Sequence, residues 1–278
     1  MEIEKYRGCS LSKFKTFNSS DSFIRIRSES DIEQAFEVSK KRKQKLFVLG
    51  GGSNVFFKNT KIKSLILKNE LPQKIEEIGE DLFEVSSSTE MMQLLNYAFK
   101  SSRNCCYYLA SAPCQVGGAI AMNAGSGPKQ AMYISDFIDS VKFFDGEKIT
   151  TKNKNEIFFG HRKSEFLKND CFIISTILRL PKIEMKDNPI VERLLWAKEN
   201  QDLTEANCGS LCNKYNASIL RFVQILSKIL PAGISQKKLN WAINKAQNPL
   251  WLRSIFALIR ILHKLFGKEL KFEIRIVN

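Results

Sequence analysis

The chain has 278 residues, of which 44% are hydrophobic and 26% charged, and its formal net charge is +14. This length allows about two or three domains with sizeable cores, and the composition is ordinary for a soluble globular protein. The positive charge favours anionic partners such as nucleotides, nucleic acid or acidic membranes. Because no RNA- or DNA-binding motif accompanies the charge, we expect no nucleic-acid partner.

The seven cysteines are irregularly spaced, and their number is odd. No signal peptide precedes them, so we expect reduced thiols in a cytoplasmic protein. Cys208 and Cys212 are four positions apart, but neither His161 nor His263 is accompanied by a second pair of closely spaced ligands. We therefore expect no metal site.

The first part of the chain predicts short helices and strands. Residues 1–20 suggest a short helix and a polar stretch, and Phe23–Arg27 alternates apolar and basic residues as a strand does. Residues 28–42 predict a helix with an apolar face. The basic run Lys40–Lys43 suits the C-terminus of that helix, and a nucleic-acid-binding tail is the alternative.

Residues 46–57 read LFVLGGGSNVFF, in which three glycines and a Ser–Asn pair separate two apolar runs. This pattern predicts a strand, a tight loop and a second strand. Because glycines carry no Cβ, the backbone amides of such a loop can surround a phosphate. The segment is neither a Walker A loop nor a Rossmann fingerprint, since it lacks Gly-Lys-Ser/Thr and no helix follows. A glycine hairpin that joins two strands is the alternative.

Residues 64–67 and 82–85 predict strands, and residues 89–101 predict a helix. A second segment of small residues follows at 110–125 and reads ASAPCQVGGAIAMNAG. Small side chains let the backbone pack against a large flat group, or alternatively serve a close contact between a helix and a strand. Strands at 136–144 and 171–180 and a helix at 190–199 come next.

The C-terminal region differs in composition and predicts helices at 219–229 and 250–266 and a strand at 269–277. The helix at 250–266 is amphipathic, with Arg253, Arg260 and Lys264 on one face. We expect it to pack on a sheet, and a basic helix on a membrane surface is the alternative. It is shorter than the ~18 uninterrupted apolar residues that spanning a bilayer requires, so we expect no membrane span.

The two glycine segments together resemble the flavin domain of the MurB family, the UDP-N-acetylenolpyruvoylglucosamine reductases. In that family a GGGSN loop holds the FAD pyrophosphate, and a segment with VGGA and NAG runs alongside the flavin. The resemblance implies non-covalent FAD, although Cys114, which stands with Gln115 where the family usually has Gly-Thr, leaves a covalent alternative. The cofactor-binding residues that it implies are Gly50, Gly51, Gly52, Ser53, Asn54, Val116, Gly117, Gly118, Asn123 and Gly125.

Three further segments resemble catalytic motifs of the same family. HRKSEF at 161–166 matches YRxSxF and supplies Arg162, with His161 in place of tyrosine. CGS at 208–210 supplies Ser210, and LKFEI at 270–274 supplies Glu273. The resemblance implies that a hydride reaches the β-carbon of an enol ether, that Arg162 and Glu273 stabilise the enolate charge, and that Ser210 donates a proton to the α-carbon.

The resemblance also implies an α+β fold. It consists of a two-subdomain FAD-binding module of the PCMH/VAO type, residues 1–103 and 104–200, and a smaller α+β substrate domain, residues 201–278. The implied activity is the NADPH-dependent reduction of a nucleotide sugar, UDP-N-acetylglucosamine enolpyruvate, in peptidoglycan precursor synthesis. Because the segment after Ser210 lacks the family's FKNP motif, alternatives are a same-fold oxidoreductase with another substrate, or a non-catalytic flavoprotein or membrane-surface scaffold. The sequence predicts no oligomeric state.

Overall fold

The computed structural model describes residues 1–126, 131–167 and 171–278. Contacts between residues divide the chain into two units. The first unit comprises Met1–Glu4, Ser22–Gly51 and Ser64–Trp196, and the second comprises Lys5–Asp21, Gly52–Lys63 and Ala197–Asn278. The predicted division into residues 1–103, 104–200 and 201–278 stays a prediction.

Helices and short strands follow one another along the described chain. The helices are α1 (Glu29–Arg42), α2 (Met91–Lys100), α3 (Val116–Ala121), α4 (Pro189–Asn200), α5 (Ala217–Leu226) and α6 (Leu250–Leu265). The strands before α4 are β1 (Glu4–Gly8), β2 (Asn18–Ile26), β3 (Leu46–Leu49), β4 (Val55–Phe57), β5 (Lys61–Ile62), β6 (Leu65–Asn69), β7 (Ile75–Gly79), β8 (Leu82–Ser86), β9 (Ile138–Phe144), β10 (Ile149–Asn153), β11 (Phe159–Gly160), β12 (Lys163–Ser164) and β13 (Phe172–Arg179). The strands after α4 are β14 (Ala206–Ser210), β15 (Cys212–Lys214), β16 (Ala232–Ile234), β17 (Trp241–Asn244), β18 (Lys271–Phe272) and β19 (Arg275–Val277).

In the first unit, β2, β6 and β3 pair in parallel, with β6 in the middle. Helix α1 connects β2 to β3, as parallel pairing requires a crossover rather than a tight turn. Buried Ile24 and Leu67 of the sheet form a core with Ile32 and Phe36 of the helix. The apolar face of α1 thereby covers the sheet and holds the strand that enters the glycine loop.

The first unit also contains an antiparallel sheet in the order β10-β9-β13-β8-β7. Its core includes Phe83 and Val85, which alternate with less buried residues along β8. Helix α2 adds Met91, Leu94 and Leu95 at the spacing of one helix face. This core supports the small-residue segment that contains α3.

In the second unit, β14, β17 and β16 form an antiparallel sheet. Two further pairs are β15 with β18, and β4 with β19 in parallel. Helices α5 and α6 pack against each other and against β16. Buried Leu220 and Val223 of α5 and Ile255 and Ile259 of α6 belong to the same core, which holds β14 in place.

The structure confirms the α+β class and the predicted strand, loop and strand around the glycines. It also confirms that the basic run ends a helix and that the helix at 250–266 packs on a sheet, since α6 contacts β16. The short helix predicted in residues 1–20 is wrong, since β1 forms there and pairs with β2. The strand predicted at 269–277 is divided in two because its halves pair with different partners, β15 and β4.

All seven cysteines are free thiols. No group of three or more His, Cys, Asp or Glu residues in the described part of the chain is arranged to hold a metal ion. Of the helices at residues 1–126, 131–167 and 171–278, none combines the length and the apolar character needed to cross a membrane.

Candidate functional site

The glycine loop Gly50–Asn54 connects two strands that belong to different sheets. Because β3 pairs with β6 and β4 pairs with β19, the alternative of a glycine hairpin is wrong. Gly52 has a φ of +69°, and a Cβ at this position would overlap the Leu11 carbonyl oxygen. The Lys13 amide donates a 3.0 Å hydrogen bond to the Gly52 carbonyl. These constraints allow only glycine at position 52.

The first half of this loop lies against the second small-residue segment. A Cβ at Gly51 would come 3.0 Å from the Pro113 carbonyl oxygen and 3.4 Å from the Cys114 Cα. A Cβ at Gly50 would come 3.2 Å from Gln115 Oε1. The structure therefore brings together, within the first unit, two glycine segments that the sequence predicts to form one site.

The second segment forms α3, and its two glycines face different surroundings. The Gly117 amide donates a 2.8 Å hydrogen bond to the Ser87 carbonyl oxygen, and a Cβ at Gly117 would lie 2.8 Å from Ser87 Cβ. Gly117 therefore permits a close contact between α3 and the end of a strand. This contact is the alternative explanation that the sequence offered for the small residues of the segment. Gly118 is exposed, and apart from its chain neighbours and the backbone of its own helix, no described atom lies within 4 Å of its Cβ position. Only Gly118 of this pair leaves open space for a ligand.

Some other residues of the predicted cofactor site make packing contacts within the protein. Val116 is buried in the hydrophobic core of the first unit. A Cβ at Gly125 would overlap the Met132 carbonyl oxygen, so that this glycine serves a close approach between backbones. Ser53 and Asn54 are half-buried in the second half of the glycine loop.

Arg162 lies at the tip of the hairpin formed by β11 and β12. The Asn123 side chain donates a 3.0 Å hydrogen bond to the Gly160 carbonyl, and Ser164 Oγ donates a 2.7 Å bond to the Ala121 carbonyl. These bonds attach both strands of the hairpin to the end of α3. Arg162 has a φ of +53°, in a region that costs a non-glycine residue about 1–2 kcal/mol. The hairpin thus holds a guanidinium on a strained backbone.

Two tyrosines lie near this hairpin tip. The Tyr133 hydroxyl and His161 Nδ1 are hydrogen-bonded at 3.0 Å. The Tyr108 hydroxyl is buried and has no hydrogen-bond partner among the described residues. Burial raises the pKa of Tyr108, and the positive charge of Arg162 opposes this rise. Tyr108 is therefore a neutral phenol within electrostatic range of Arg162.

In the second unit, Ser210 and Glu273 lie on neighbouring backbone segments. Ser210 ends β14, and the Glu273 amide donates a 2.9 Å hydrogen bond to the carbonyl of Leu211. Asn54 Nδ2 donates a 3.1 Å bond to the Glu273 carbonyl, and the Arg275 amide donates a 3.1 Å bond to the Asn54 carbonyl. The end of the glycine loop therefore fixes the backbone that carries Glu273.

Two buried cysteines support these segments. The Cys208 thiol lies 3.7 Å from the carbonyl oxygens of Gly52 and Val55, and burial raises the pKa of Cys208 to about 11. Burial raises the pKa of Cys212 to about 12, and the charge of Glu273 acts in the same direction. Both side chains are neutral thiols near pH 7, which suits packing rather than nucleophilic chemistry.

Cys114 lies in the segment that meets the glycine loop, where it offered a covalent alternative for the flavin. Burial raises its pKa to about 12, and the charge of Glu90 adds to the rise. Since the thiolate is the reactive form, a buried thiol with this pKa is a poor partner for a covalent bond. Non-covalent binding of the flavin stays a prediction, and the burial of this thiol agrees with it.

Two side chains that no sequence motif marks hold the glycine loop and the strand that follows it. Lys68 Nζ donates a 2.5 Å hydrogen bond to the Gly50 carbonyl across 18 positions of sequence, and places a positive charge beside the loop. Ser12 Oγ donates a 2.5 Å bond to the Val55 carbonyl across 43 positions. Neither residue belongs to a motif, so no signal in the sequence could have found them.

Comparisons with known proteins agree with this geometry. The family model described as FAD binding domain matches residues 20–149, which include the glycine loop and α3. The crystal structure of MurB from Thermus caldophilus has a TM-score of 0.75 to this chain at 19% identity and covers 100% of both chains. That likeness shows a shared fold and confirms the predicted fold class.

Sequence relatives extend the similarity. The UDP-N-acetylenolpyruvoylglucosamine reductase of Clostridium novyi is 26% identical over 95% of this chain and 88% of its own length. The reductase of Aquifex aeolicus is 37% identical over a segment that spans 50% of this chain and 46% of that relative. The chain therefore belongs to the MurB family of UDP-N-acetylenolpyruvoylglucosamine reductases and contains an FAD-binding domain.

Proposed function

We propose that this protein is a flavoprotein oxidoreductase that uses NADPH to reduce the enolpyruvyl group of UDP-N-acetylglucosamine enolpyruvate, giving UDP-N-acetylmuramate. The observation that carries the proposal is the similarity over 95% of the chain to a reductase named for this substrate. The reaction belongs to peptidoglycan precursor synthesis. A cytoplasmic location is part of the proposal and is supported by the seven free thiols.

The residues of the first unit fit FAD. Open space lies beside Gly118, and the buried Gln115 Oε1 has no hydrogen-bond partner within the described part of the chain. A flat group with polar edges suits such surroundings, since buried polar atoms are normally hydrogen-bonded. Lys68 provides positive charge beside the loop, which suits a pyrophosphate. When bound, FAD supplies the hydride-transfer chemistry that amino-acid side chains lack.

In this proposal the backbone amides of the glycine loop bind the pyrophosphate, and the segment around α3 lies alongside the flavin. Asn123 also positions the hairpin, because its side chain is bonded to the Gly160 carbonyl. The proposed cofactor-binding residues are Gly50, Gly51, Gly52, Ser53, Asn54, Val116, Gly117, Gly118, Asn123 and Gly125.

Arg162 binds the substrate carboxylate in this proposal. A planar guanidinium donates two parallel hydrogen bonds to a carboxylate and stabilises the negative charge that develops there during reduction. The bonds from Asn123 and Ser164 support this role because they fix the hairpin whose tip carries Arg162.

Ser210 donates the proton, and Glu273 stabilises the enolate together with Arg162. A serine hydroxyl is a weak acid, so its proton donation depends on polar neighbours. The bond between the Glu273 amide and the Leu211 carbonyl supports the pairing by keeping the two segments adjacent.

The test follows the flavin through two half-reactions under anaerobic conditions. We expect the purified protein to show flavin absorbance that NADPH bleaches, and UDP-N-acetylglucosamine enolpyruvate to restore it. Protein that neither contains nor takes up FAD would refute the cofactor assignment. Reduced flavin that this substrate fails to reoxidise would refute the proposed substrate and point to an oxidoreductase with another acceptor.

A further inference from the structure

Helix α5 and the turn after it present large apolar side chains to solvent. Within the helix a spacing of i, i+3 and i+4 places three of them on one side, and the fourth follows in the turn. They are Phe222, Ile225, Leu226 and Ile229, with exposed fractions of 51%, 72%, 48% and 90%. A different side of α5, with Ile219, Leu220 and Val223, is buried in the core. Packing within the protein therefore leaves a second apolar face of this helix uncovered.

Helix α6 repeats this arrangement. Its buried side consists of Leu252, Ile255, Phe256, Ile259 and His263. Trp251, Leu258 and Leu265 follow one another at intervals of seven residues and so lie on another side. Trp251 is 39% exposed and Leu265 72%, and both Ile261 and Phe266 are 61% exposed. Leu258, between Trp251 and Leu265, is partly buried against the core, whereas the core leaves the ends of this side of α6 exposed to water.

The same region is basic throughout. Between Glu205 and Glu269 the sequence contains no Asp or Glu and ten Lys or Arg residues. They are Lys214, Arg221, Lys228, Lys237, Lys238, Lys245, Arg253, Arg260, Lys264 and Lys268. The positions of Arg253, Arg260 and Lys264, at i, i+7 and i+11, form a basic row along α6. Positive charge therefore accompanies the exposed apolar faces of both helices.

The charge decides which occupant these faces suit. Glu269 and Glu205 pair with Lys214 and Lys245, respectively. The other basic residues of two copies of this region would meet like charge, which is unfavourable. A bilayer with anionic headgroups offers an apolar interior for the aliphatic side chains and negative charge for the lysines and arginines. Tryptophan is also favoured at the level of the headgroups. We propose that α5 and α6 bind the protein to the surface of an anionic lipid bilayer.

Flotation of the full-length, FAD-loaded protein with lipid vesicles tests this proposal. We expect binding to phosphatidylcholine vesicles that contain phosphatidylglycerol, little binding to pure phosphatidylcholine, and weaker binding as salt is raised. The charge variant Arg221→Gln/Lys228→Gln/Lys264→Gln should bind on the order of 100-fold more weakly, at about 5-fold for each charge. The apolar variant Ile225→Gln/Ile229→Gln should lose at least about tenfold, because each side chain loses its apolar burial.

Matched controls lie elsewhere on the chain. Ile78→Gln/Ile183→Gln removes two side chains that are 47% and 37% exposed, and should bind vesicles like the wild type. An unchanged far-ultraviolet circular dichroism spectrum and a cooperative urea transition show that each variant is folded. Equal binding of the wild type to neutral and anionic vesicles, or unchanged binding of the apolar variant, would overturn the proposal. So would a wild-type dimer in analytical ultracentrifugation that the apolar variant dissociates, since the face would then be occupied by a second copy.

Discussion

Gly118→Ala separates the effect of a residue on folding from its effect on FAD. Gly118 lies in α3, and beyond its chain neighbours and the backbone of its own helix no described atom lies within 4 Å of the Cβ position, so that an alanine methyl meets no other described part of the protein. Alanine in a helix is more favourable than glycine by about 1 kcal/mol, and the apoprotein should gain about this much, or roughly 2–4 °C in Tm. The variant should therefore fold at least as well as the wild type.

The same methyl group should weaken FAD. If the flavin packs against α3, the added methyl enters occupied space, and overpacking of this kind costs about 1–3 kcal/mol. This cost corresponds to a Kd for FAD that is about 5- to 150-fold higher, with 1.4 kcal/mol for each factor of ten. Gly118→Ala should thus raise the unfolding free energy of the apoprotein and lower its affinity for FAD. A simple folding defect would not raise the stability of the apoprotein.

Two titrations measure the two effects. Urea unfolding of the apoprotein gives its stability, and quenching of flavin fluorescence on addition of apoprotein gives the Kd. Gly79→Ala is the matched control, because its Cβ would meet only the Leu82 side chain, at 3.8 Å. An unchanged Kd in Gly118→Ala would refute flavin binding alongside α3, and a less stable apoprotein would refute the open space assigned to this position.

The remaining predictions concern the loop, the catalytic residues and the thiols. Gly51→Asp should abolish flavin retention, because its Cβ would come 3.0 Å from the Pro113 carbonyl oxygen and its carboxylate would repel the pyrophosphate. A Gly51→Asp protein that purifies with the normal yellow colour would contradict this prediction. Ser210→Ala should leave flavin reduction by NADPH nearly intact and slow its reoxidation by substrate at least ~10²-fold in stopped-flow traces; reoxidation at the wild-type rate would assign the proton elsewhere. Arg162→Lys should also impair reoxidation, since a point charge cannot replace two parallel donors, and substrate turnover equal to the wild type would exclude the carboxylate contact. Burial raises the pKa of Cys208 to about 11 in the folded protein, above the roughly 8.5 of an unfolded thiol, so that its stabilisation is complete below pH ~8.5 and is lost as the pH rises towards 11. In Cys208→Ala the unfolding free energy should therefore fall less steeply with pH in this range, by up to about 1.4 kcal/mol per pH unit. Urea unfolding at several pH values measures this slope, with Cys9→Ala as the control. A slope in Cys208→Ala equal to that of the wild type would contradict the prediction.

Features set by nearby residues could be predicted from the sequence. Helix α2 follows from the apolar spacing within residues 89–101, and the apolar runs on either side of the glycine loop form the strands that their pattern predicts. The motifs at residues 50–54 and 116–125 also indicated the family, which the comparisons confirm. Side-chain spacing and local backbone freedom determine these features, so the order of residues is enough to identify them.

Other features depend on residues that the chain brings together from a distance. Gly117 and Gly118 are neighbours in one motif, yet only the position of Ser87 makes the first a packing glycine and leaves the second open. The bond from Asn123 to Gly160 spans 37 positions, and the bond from Lys68 to Gly50 spans 18. The sequence by itself therefore determined the local elements and the family. Tertiary contacts decided which glycine of a motif packs and which faces open space, because steric and polar surroundings exist only after distant segments have met.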